Sequence, residues 1–145
     1  MKRRDQKQLL AKLSEKYELD VDKVEVAKIE DKQVYLFDDE VEFIHDEMGL
    51  YPFLGGKFVD SLADVVVDMG AIRFVCNGAD IMAPGITDLS EFNLGDLVVV
   101  RDVTHGKALA IGVANKSSGD IVASKKGKVI KNLHYVGDRL WDALS

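Results

Sequence analysis

Cysteine is nearly absent from this sequence, since Cys76 is the only one among 145 residues. A single cysteine forms no internal disulfide, and nothing indicates an oxidising compartment. No apolar run approaches the roughly 20 residues that span a bilayer. The basic residues at positions 2–4 are followed by charged positions rather than by the apolar core of a signal peptide. We therefore expect a soluble, cytoplasmic protein in which Cys76 is a buried, inert thiol.

Histidine is also scarce, and the sequence lacks the motifs of common enzymes. His45, His105 and His134 are scattered along the chain without the spacing of metal ligands. There is no P-loop, no dinucleotide-binding fingerprint and no nucleophile elbow. We therefore expect no enzymatic activity, no cofactor and no metal site.

The charge of the chain does not by itself indicate nucleic-acid binding. The formal net charge is −6, from 19 basic and 25 acidic residues. Residues 1–63 hold 10 basic against 15 acidic residues, whereas residues 64–145 hold 9 against 10. Because phosphates attract basic residues wherever these cluster, any contact with nucleic acid must come from a local patch.

The first half of the chain changes from a helical to an alternating pattern. Residues 5–17 carry an apolar stripe at helical spacing, and residues 24–29 and 34–37 alternate as a hairpin would. A third short strand is predicted at 41–44. Glycines and a proline are dense over residues 49–60, so we place a domain boundary just after them, between residues 1–63 and 64–145.

The second half has a strong β character. We predict strands at residues 65–67, 81–83, 97–100, 109–114 and 127–131, with a closing helix at 138–144. Asp68 is a good N-cap for a short helix after the first strand, and Gly78 fits the left-handed position that closes it. Short strands separated by glycines indicate a small barrel, which leaves few exposed edges.

Five segments of the second half form a specific pattern in a fixed order: residues 65–75 (VVVDMGAIRFV), 77–86 (NGADIMAPGI), 95–100 (GDLVVV), 110–114 (AIGVA) and 127–141 (GKVIKNLHYVGDRLW). Together they resemble the PUA domain, named for pseudouridine synthases and archaeosine transglycosylases. The last segment is similar to the subgroup with a preceding pre-PUA domain, which residues 1–63 resemble in their helix-then-strands order. That subgroup includes archaeal stand-alone proteins and the eukaryotic malignant T-cell-amplified and translation-machinery-associated relatives.

The resemblance implies an α+β chain, with a small pre-PUA domain before a PUA β-pseudobarrel. It also implies an RNA-binding face formed by four elements. They are the first helix of the barrel, the glycine loop that follows it (residues 78–80), the next strand and the last strand. On this sequence that face comprises Arg73, Asn77, Gly78, Ala79, Asp80, Met82, Ala83, Lys128 and Lys131, and Lys125 and Lys126 extend its positive run.

The residue types of this face suit RNA. Gly78 and Ala79 are small enough for a phosphate to approach main-chain N–H groups. Asn77 and Asp80 are able to bond a base edge or a 2′-hydroxyl. An RNA binder should join the lysine run to Arg73, Arg101 or Arg139 in one positive surface.

Each of these residues also has a structural interpretation. Gly78 is a helix cap, Asp80 suits a turn, and Arg73 and the lysines suit a solvated surface.

The leading hypothesis is a non-catalytic binder of structured RNA, either the acceptor region of tRNA or ribosomal RNA, in translation. The alternative is a protein-interaction adaptor, whose acidic first domain binds a translation factor or ribosomal subunit and whose RNA contact is secondary.

Overall fold

The computed structural model describes all residues from 1 to 145 and divides into two compact units, Met1–Ser61 and Leu62–Ser145. The division falls two residues before the predicted boundary, because Ala63 already pairs with Val98 in the sheet of the second unit. No helix in the chain is both long enough and apolar enough to cross a membrane.

The first unit is a helix followed by a four-stranded antiparallel meander in chain order. Its elements are α1 (Arg3–Leu13), β1 (Val24–Ile29), β2 (Lys32–Phe37), β3 (Glu40–Asp46) and β4 (Gly49–Pro52). The predicted hairpin and third strand are confirmed. Strand β4 was not predicted, because Gly49 and Pro52 look like breakers. A proline is tolerated there since β4 is an edge strand and pairs only with β3.

An aromatic cluster forms the core of the first unit. Tyr17, Phe37, Phe43 and Phe58 contact one another with ring centroids 5.1–6.3 Å apart. Helix α1 ends at Leu13 rather than at the predicted residue 17. Tyr17 lies beyond it but is still buried, so the apolar stripe correctly marked a core residue while overstating the length of the helix.

The second unit contains six strands and three short helices. They are β5 (Ala63–Val67), α2 (Ile72–Val75), β6 (Ile81–Met82), β7 (Ile86–Leu89), β8 (Leu97–Asp102), β9 (Ala108–Ala114), α3 (Ser118–Ser124), β10 (Lys128–Tyr135) and α4 (Arg139–Leu144). Helix α3 was not predicted, because only Ile121 of its seven residues is buried and its apolar pattern is weak. Strand β10 runs four residues beyond the predicted end at Lys131.

The six strands form one sheet in the order β6-β10-β9-β8-β5-β7, in which β5 and β8 are parallel and all other pairs are antiparallel. Strands β6 and β7 lie at opposite ends of this order, yet only Ala83–Gly85 join them. Three residues reach about 10 Å at most, so the sheet must curl until its edges approach. The pseudobarrel expected from the resemblance is confirmed, with Val65, Val98 and Ile130 among its fully buried core residues.

Candidate functional site

The candidate site begins where the chain leaves β5. The carboxylate of Asp68 accepts a hydrogen bond from the N–H of Ala71 at 3.0 Å and so starts a 3-10 turn that continues into α2. The helix ends at Val75 with Cys76 as its C-cap, and Gly78 follows with a φ of +92°. The predicted N-cap and the predicted left-handed closing residue are both confirmed.

The space around Gly78 is tight, in addition to its positive φ. A Cβ atom at this position would lie 3.1 Å from the hydroxyl oxygen of Tyr135. The N–H groups of Gly78 and Ala79 donate to the carbonyls of Val75 and Phe74, at 3.1 and 3.0 Å. We expected these two N–H groups to be available to a phosphate, and that expectation is wrong because they close the helix instead.

Asn132 on β10 holds the glycine loop in place. Its side-chain Nδ2 donates to the carbonyls of Val75 and Ala79, both at 3.0 Å, and its main-chain N–H donates to Asp80 at 3.0 Å. One carboxylate oxygen of Asp80 is therefore committed to the fold. Sequence analysis missed Asn132, although a polar residue among the buried positions of a strand was a usable signal.

An open groove of about 540 Å³ runs between α2, the glycine loop and the strand pair of β6 and β10. Met82 on β6 is directly opposite Lys128 on β10 in the register of that pair. The side chains that give the groove its character are Phe74, which is 54% exposed, Met82, which is 45% exposed, and Lys128. The groove therefore combines apolar surface open to solvent with a positive charge.

Phe74 is the groove residue that sequence reasoning missed most clearly. From the sequence we assigned no role to Phe74, which is exposed and lies off the helix face that buries Val75. The guanidinium carbon of Arg73 is 4.8 Å from the centroid of the Phe74 ring, a cation–π contact. Helical spacing offered a signal, since Ile72, Val75 and Cys76 share one face that excludes Phe74.

The predicted residues separate into three groups. Those lining the groove are Ala79, Asp80, Met82 and Lys128. Arg73 and Asn77 are exposed on and just after α2, Gly78 lies between α2 and Tyr135, and Lys131 is exposed farther along β10. Lys125 ends α3 in a left-handed conformation and lines a different groove, beside β7, and Lys126 is exposed in the turn that follows.

Arg101 does not join the expected positive surface as a free cation. Its Nε atom donates to the carboxylate of Asp64 at 2.9 Å, and its Nη1 atom donates to the carbonyl of Gly106. This ion pair neutralises the charge of Arg101. The positive residues at the groove itself are Lys128 and, through Phe74, Arg73.

His134 and Asp138 of the second unit have structural roles. The fully buried His134 makes a 2.7 Å hydrogen bond through its Nδ1 atom to Asp138, which also caps α4. Cys76 is only partly buried, so the expectation of a buried thiol is wrong in degree. Its partial burial still raises the pKa of the thiol, which disfavours the reactive thiolate. No group of three or more His, Cys, Asp and Glu side chains is placed to hold a metal ion anywhere in residues 1–145.

The curled sheet with its helix-and-loop groove is the architecture of a PUA-type module. The PUA domain family matches residues 63–136, and a domain of unknown function (DUF1947) matches residues 1–55. The chain belongs to the family of PUA-domain proteins that carry this N-terminal domain. The predicted family and fold class are thereby confirmed.

Three relatives show the range of the family. An uncharacterized protein of Methanocaldococcus jannaschii is 42% identical over 123 residues, which is 82% of this chain and 75% of the relative. Translation machinery-associated protein 20 of Saccharomyces cerevisiae is 37% identical over 129 residues, 82% of this chain and 71% of its own. Human malignant T-cell-amplified sequence 2 is 39% identical over 95 residues, 63% of this chain and 49% of its own.

Two solved structures are also similar. A hypothetical protein from Pyrococcus horikoshii OT3 has a TM-score of 0.83 and 29% identity, over 100% of this chain and 98% of its own. A chain from an H/ACA RNP bound to a substrate RNA has a TM-score of 0.53 and 28% identity. That second likeness covers 64% of this chain and 29% of the other.

Proposed function

We propose that the groove between α2 and the β6–β10 pair binds structured RNA and that the protein performs no catalysis. The observation that carries this proposal is the placement of the half-exposed Phe74 ring and Met82 beside Lys128 in one open groove. An aromatic ring stacks on any base, and a lysine attracts the adjoining phosphate. The volume of the groove lies within the range of about 300–1,000 Å³ that is usual for small-ligand sites.

The form of the groove favours an unpaired nucleotide over a duplex. A base inside an A-form helix hides both of its faces, so stacking on Phe74 requires a splayed base in a loop or at a single-stranded end. We therefore assign the acceptor end of tRNA or an unpaired segment of ribosomal RNA as the ligand class. Asn77, which is exposed just after α2, is able to bond a base edge or a 2′-hydroxyl.

A role in translation is supported by the names of the relatives. One is called translation machinery-associated protein 20. The similar chain from the H/ACA RNP supports RNA binding rather than translation, since that assembly is bound to a substrate RNA. On this proposal the protein acts in the cytoplasm, with a ribosomal subunit or a translation factor as a further partner. The second candidate, an adaptor, is favoured by the acidic first unit.

The direct test is Phe74→Ala, assayed by fluorescence anisotropy with a labelled stem–loop RNA that carries a single-stranded 3′ tail. Loss of one stacking contact of about 1–3 kcal/mol should weaken binding roughly 5- to 150-fold. The matched control is Leu94→Ala, since Leu94 is 69% exposed in the same unit and lies outside the groove.

The outcomes separate the two candidates. Specific weakening by Phe74→Ala, with wild-type binding by Leu94→Ala, supports the groove as the RNA site. Equal affinity of wild type and Phe74→Ala rejects the groove. If the wild-type protein binds no RNA at low salt, the adaptor replaces RNA binding as the function.

A further inference from the structure

Helix α1 of the first unit carries a concentration of positive charge that the rest of that unit lacks. Residues 1–16 hold six basic and two acidic residues, a net of +4, whereas residues 17–61 hold four basic and 13 acidic residues, a net of −9. All six basic residues are exposed: Lys2, Arg3, Arg4, Lys7, Lys12 and Lys16. The unit is acidic as a whole, yet its first 16 residues are strongly basic, and Arg3, Arg4 and Lys7 lie on one side of α1 at helical spacing.

This charge opposes the stability of the helix. Arg3 and Lys7 are four residues apart and Arg4 and Lys7 three apart, and like charges at these spacings repel. Arg3 and Arg4 also lie in the first turn, where the helix dipole favours acidic residues, and Asp5 is the only acid there. None of Arg3, Arg4 and Lys7 forms a salt bridge within the chain. The clustered positive charge therefore lowers the stability of the helix, and no salt bridge to Arg3, Arg4 or Lys7 offsets this loss.

A local arrangement that destabilises the fold without a compensating contact is expected at functional sites. We infer that the outer face of α1, formed by Arg4 and Lys7 with Arg3 beside them, is a second RNA-binding surface that contacts backbone phosphates. This inference rests on the proposed function, because it assumes that the second unit brings RNA to the protein. It deepens that function by assigning sequence-independent affinity to the first unit.

The chemistry of the face selects phosphates of RNA over a membrane surface. A membrane-binding helix needs an apolar face to insert between the lipids. The apolar residues of α1 are used elsewhere, since Leu13 is buried and Leu9 and Leu10 are partly buried. What remains outside includes the long cationic side chains of Arg3, Arg4 and Lys7, which suit a phosphate backbone and read no base sequence there.

The test is the salt dependence of RNA binding by the full chain, with the double variant Arg4→Gln/Lys7→Gln. Each phosphate contact adds about 0.7–0.9 to the slope of log affinity against log salt, so this slope should fall by about 1.4–1.8. For each tenfold decrease in salt concentration, the affinity of the wild type should therefore rise about 25- to 60-fold more than that of the double variant. The probe is the same tailed stem–loop RNA.

Two control variants make the result specific. Lys28→Gln/Lys107→Gln removes two exposed cations elsewhere and should leave the slope near that of the wild type. The charge-preserving Arg4→Lys/Lys7→Arg should also keep the slope. Thermal unfolding of Arg4→Gln/Lys7→Gln should occur at or above the wild-type temperature, because like-charge repulsion is removed.

The outcomes distinguish this inference from the proposed function. An unchanged slope in Arg4→Gln/Lys7→Gln, while Phe74→Ala still weakens binding, overturns the α1 surface and leaves the groove intact. A reduced slope with full binding by Phe74→Ala supports α1 and rejects the groove. Capture of the wild type but not of the double variant by phosphatidylserine vesicles, with no change in the RNA slope, assigns α1 to membranes and overturns the inference. No RNA binding by the wild type overturns both.

Discussion

Asp138 shows how a single residue of the closing segment holds several others. Its carboxylate accepts hydrogen bonds from His134 Nδ1 at 2.7 Å and from the N–H groups of Tyr135 and Trp141 at 2.9 and 2.8 Å. Tyr135 in turn contacts Gly78, so Asp138 is linked to the glycine loop through one side chain. Burial alone would raise the pKa of Asp138, but these hydrogen bonds and the charge of His134 lower it below its usual value.

The lowered pKa of Asp138 gives a prediction about acid stability. Its folded-state pKa lies below the unfolded value of about 3.9, so its stabilisation is complete above that pH and is lost as the pH falls through the folded-state pKa. We expect Asp138→Asn to lower the free energy of unfolding at pH 7 by about 1–3 kcal/mol. The difference from the wild type should shrink progressively below about pH 4.

Urea unfolding followed by the fluorescence of Trp141 measures this effect, because Trp141 is the only tryptophan and lies in the second unit. Asp142→Asn is the matched control, since Asp142 is exposed on the same helix. A difference between Asp138→Asn and wild type that stays constant from pH 7 to pH 3 would contradict this assignment.

The residue scale is also where sequence reasoning succeeded least. The resemblance correctly brought Ala79, Asp80, Met82 and Lys128 to one groove. It did not show Asn132 bonding the glycine loop, because a contact between positions 52 to 57 residues apart in the chain depends on the closure of the barrel. Likewise, the sequence did not reveal that Arg101 is paired with Asp64 across neighbouring strands.

At the scale of elements, β9 and β10 approach each other more closely at Gly112 than a side chain allows. A Cβ atom there would lie 2.5 Å from a methyl carbon of Ile130 and 2.8 Å from the carbonyl oxygen of Lys131. The neighbouring strand carries Asn132 opposite Gly112 in the register. The close approach therefore sets the position of the strand that forms one wall of the groove.

Two glycine-to-alanine changes should act in opposite directions on the second unit. Gly112→Ala should destabilise it by about 1–3 kcal/mol, as overpacking of a core does, because backbone atoms of β10 must move. Gly119→Ala, in α3, has open space around the added Cβ atom and should stabilise the unit by about 0.5–1 kcal/mol. Urea midpoints from Trp141 fluorescence test both, and a neutral Gly112→Ala would show that the two strands separate easily.

The sequence predicted those helices and strands in which the pattern of apolar residues matches the pattern of buried positions. The run 97–100 is apolar because three of its four residues, Val98, Val99 and Val100, are fully buried in β8. Helix α3 and strand β4 were missed because α3 buries a single side chain and β4 is an edge strand with Pro52. Their positions follow from tertiary packing, which a local pattern does not record.

On the scale of the whole molecule, the chain separates its charges rather than carrying a general affinity for nucleic acid. The net charge is −6, and we propose that RNA is contacted by local positive residues, at and beside the groove of the second unit and on α1 of the first. An acidic background with local basic surfaces limits non-specific binding and leaves the local contacts to determine affinity. This account predicts RNA binding that is salt-dependent yet selective for shape.

The most direct test of the central claim is a salt series of binding to purified total tRNA and to an unrelated blunt RNA duplex. The wild type should bind tRNA more tightly than the duplex at every salt concentration, with affinity falling steeply as salt rises. Lys128→Glu/Lys131→Glu should weaken tRNA binding and flatten its salt slope while leaving urea unfolding unchanged. Equal affinity for tRNA and duplex, or no binding to either at low salt, would contradict the assignment of the groove as a site for unpaired nucleotides of structured RNA.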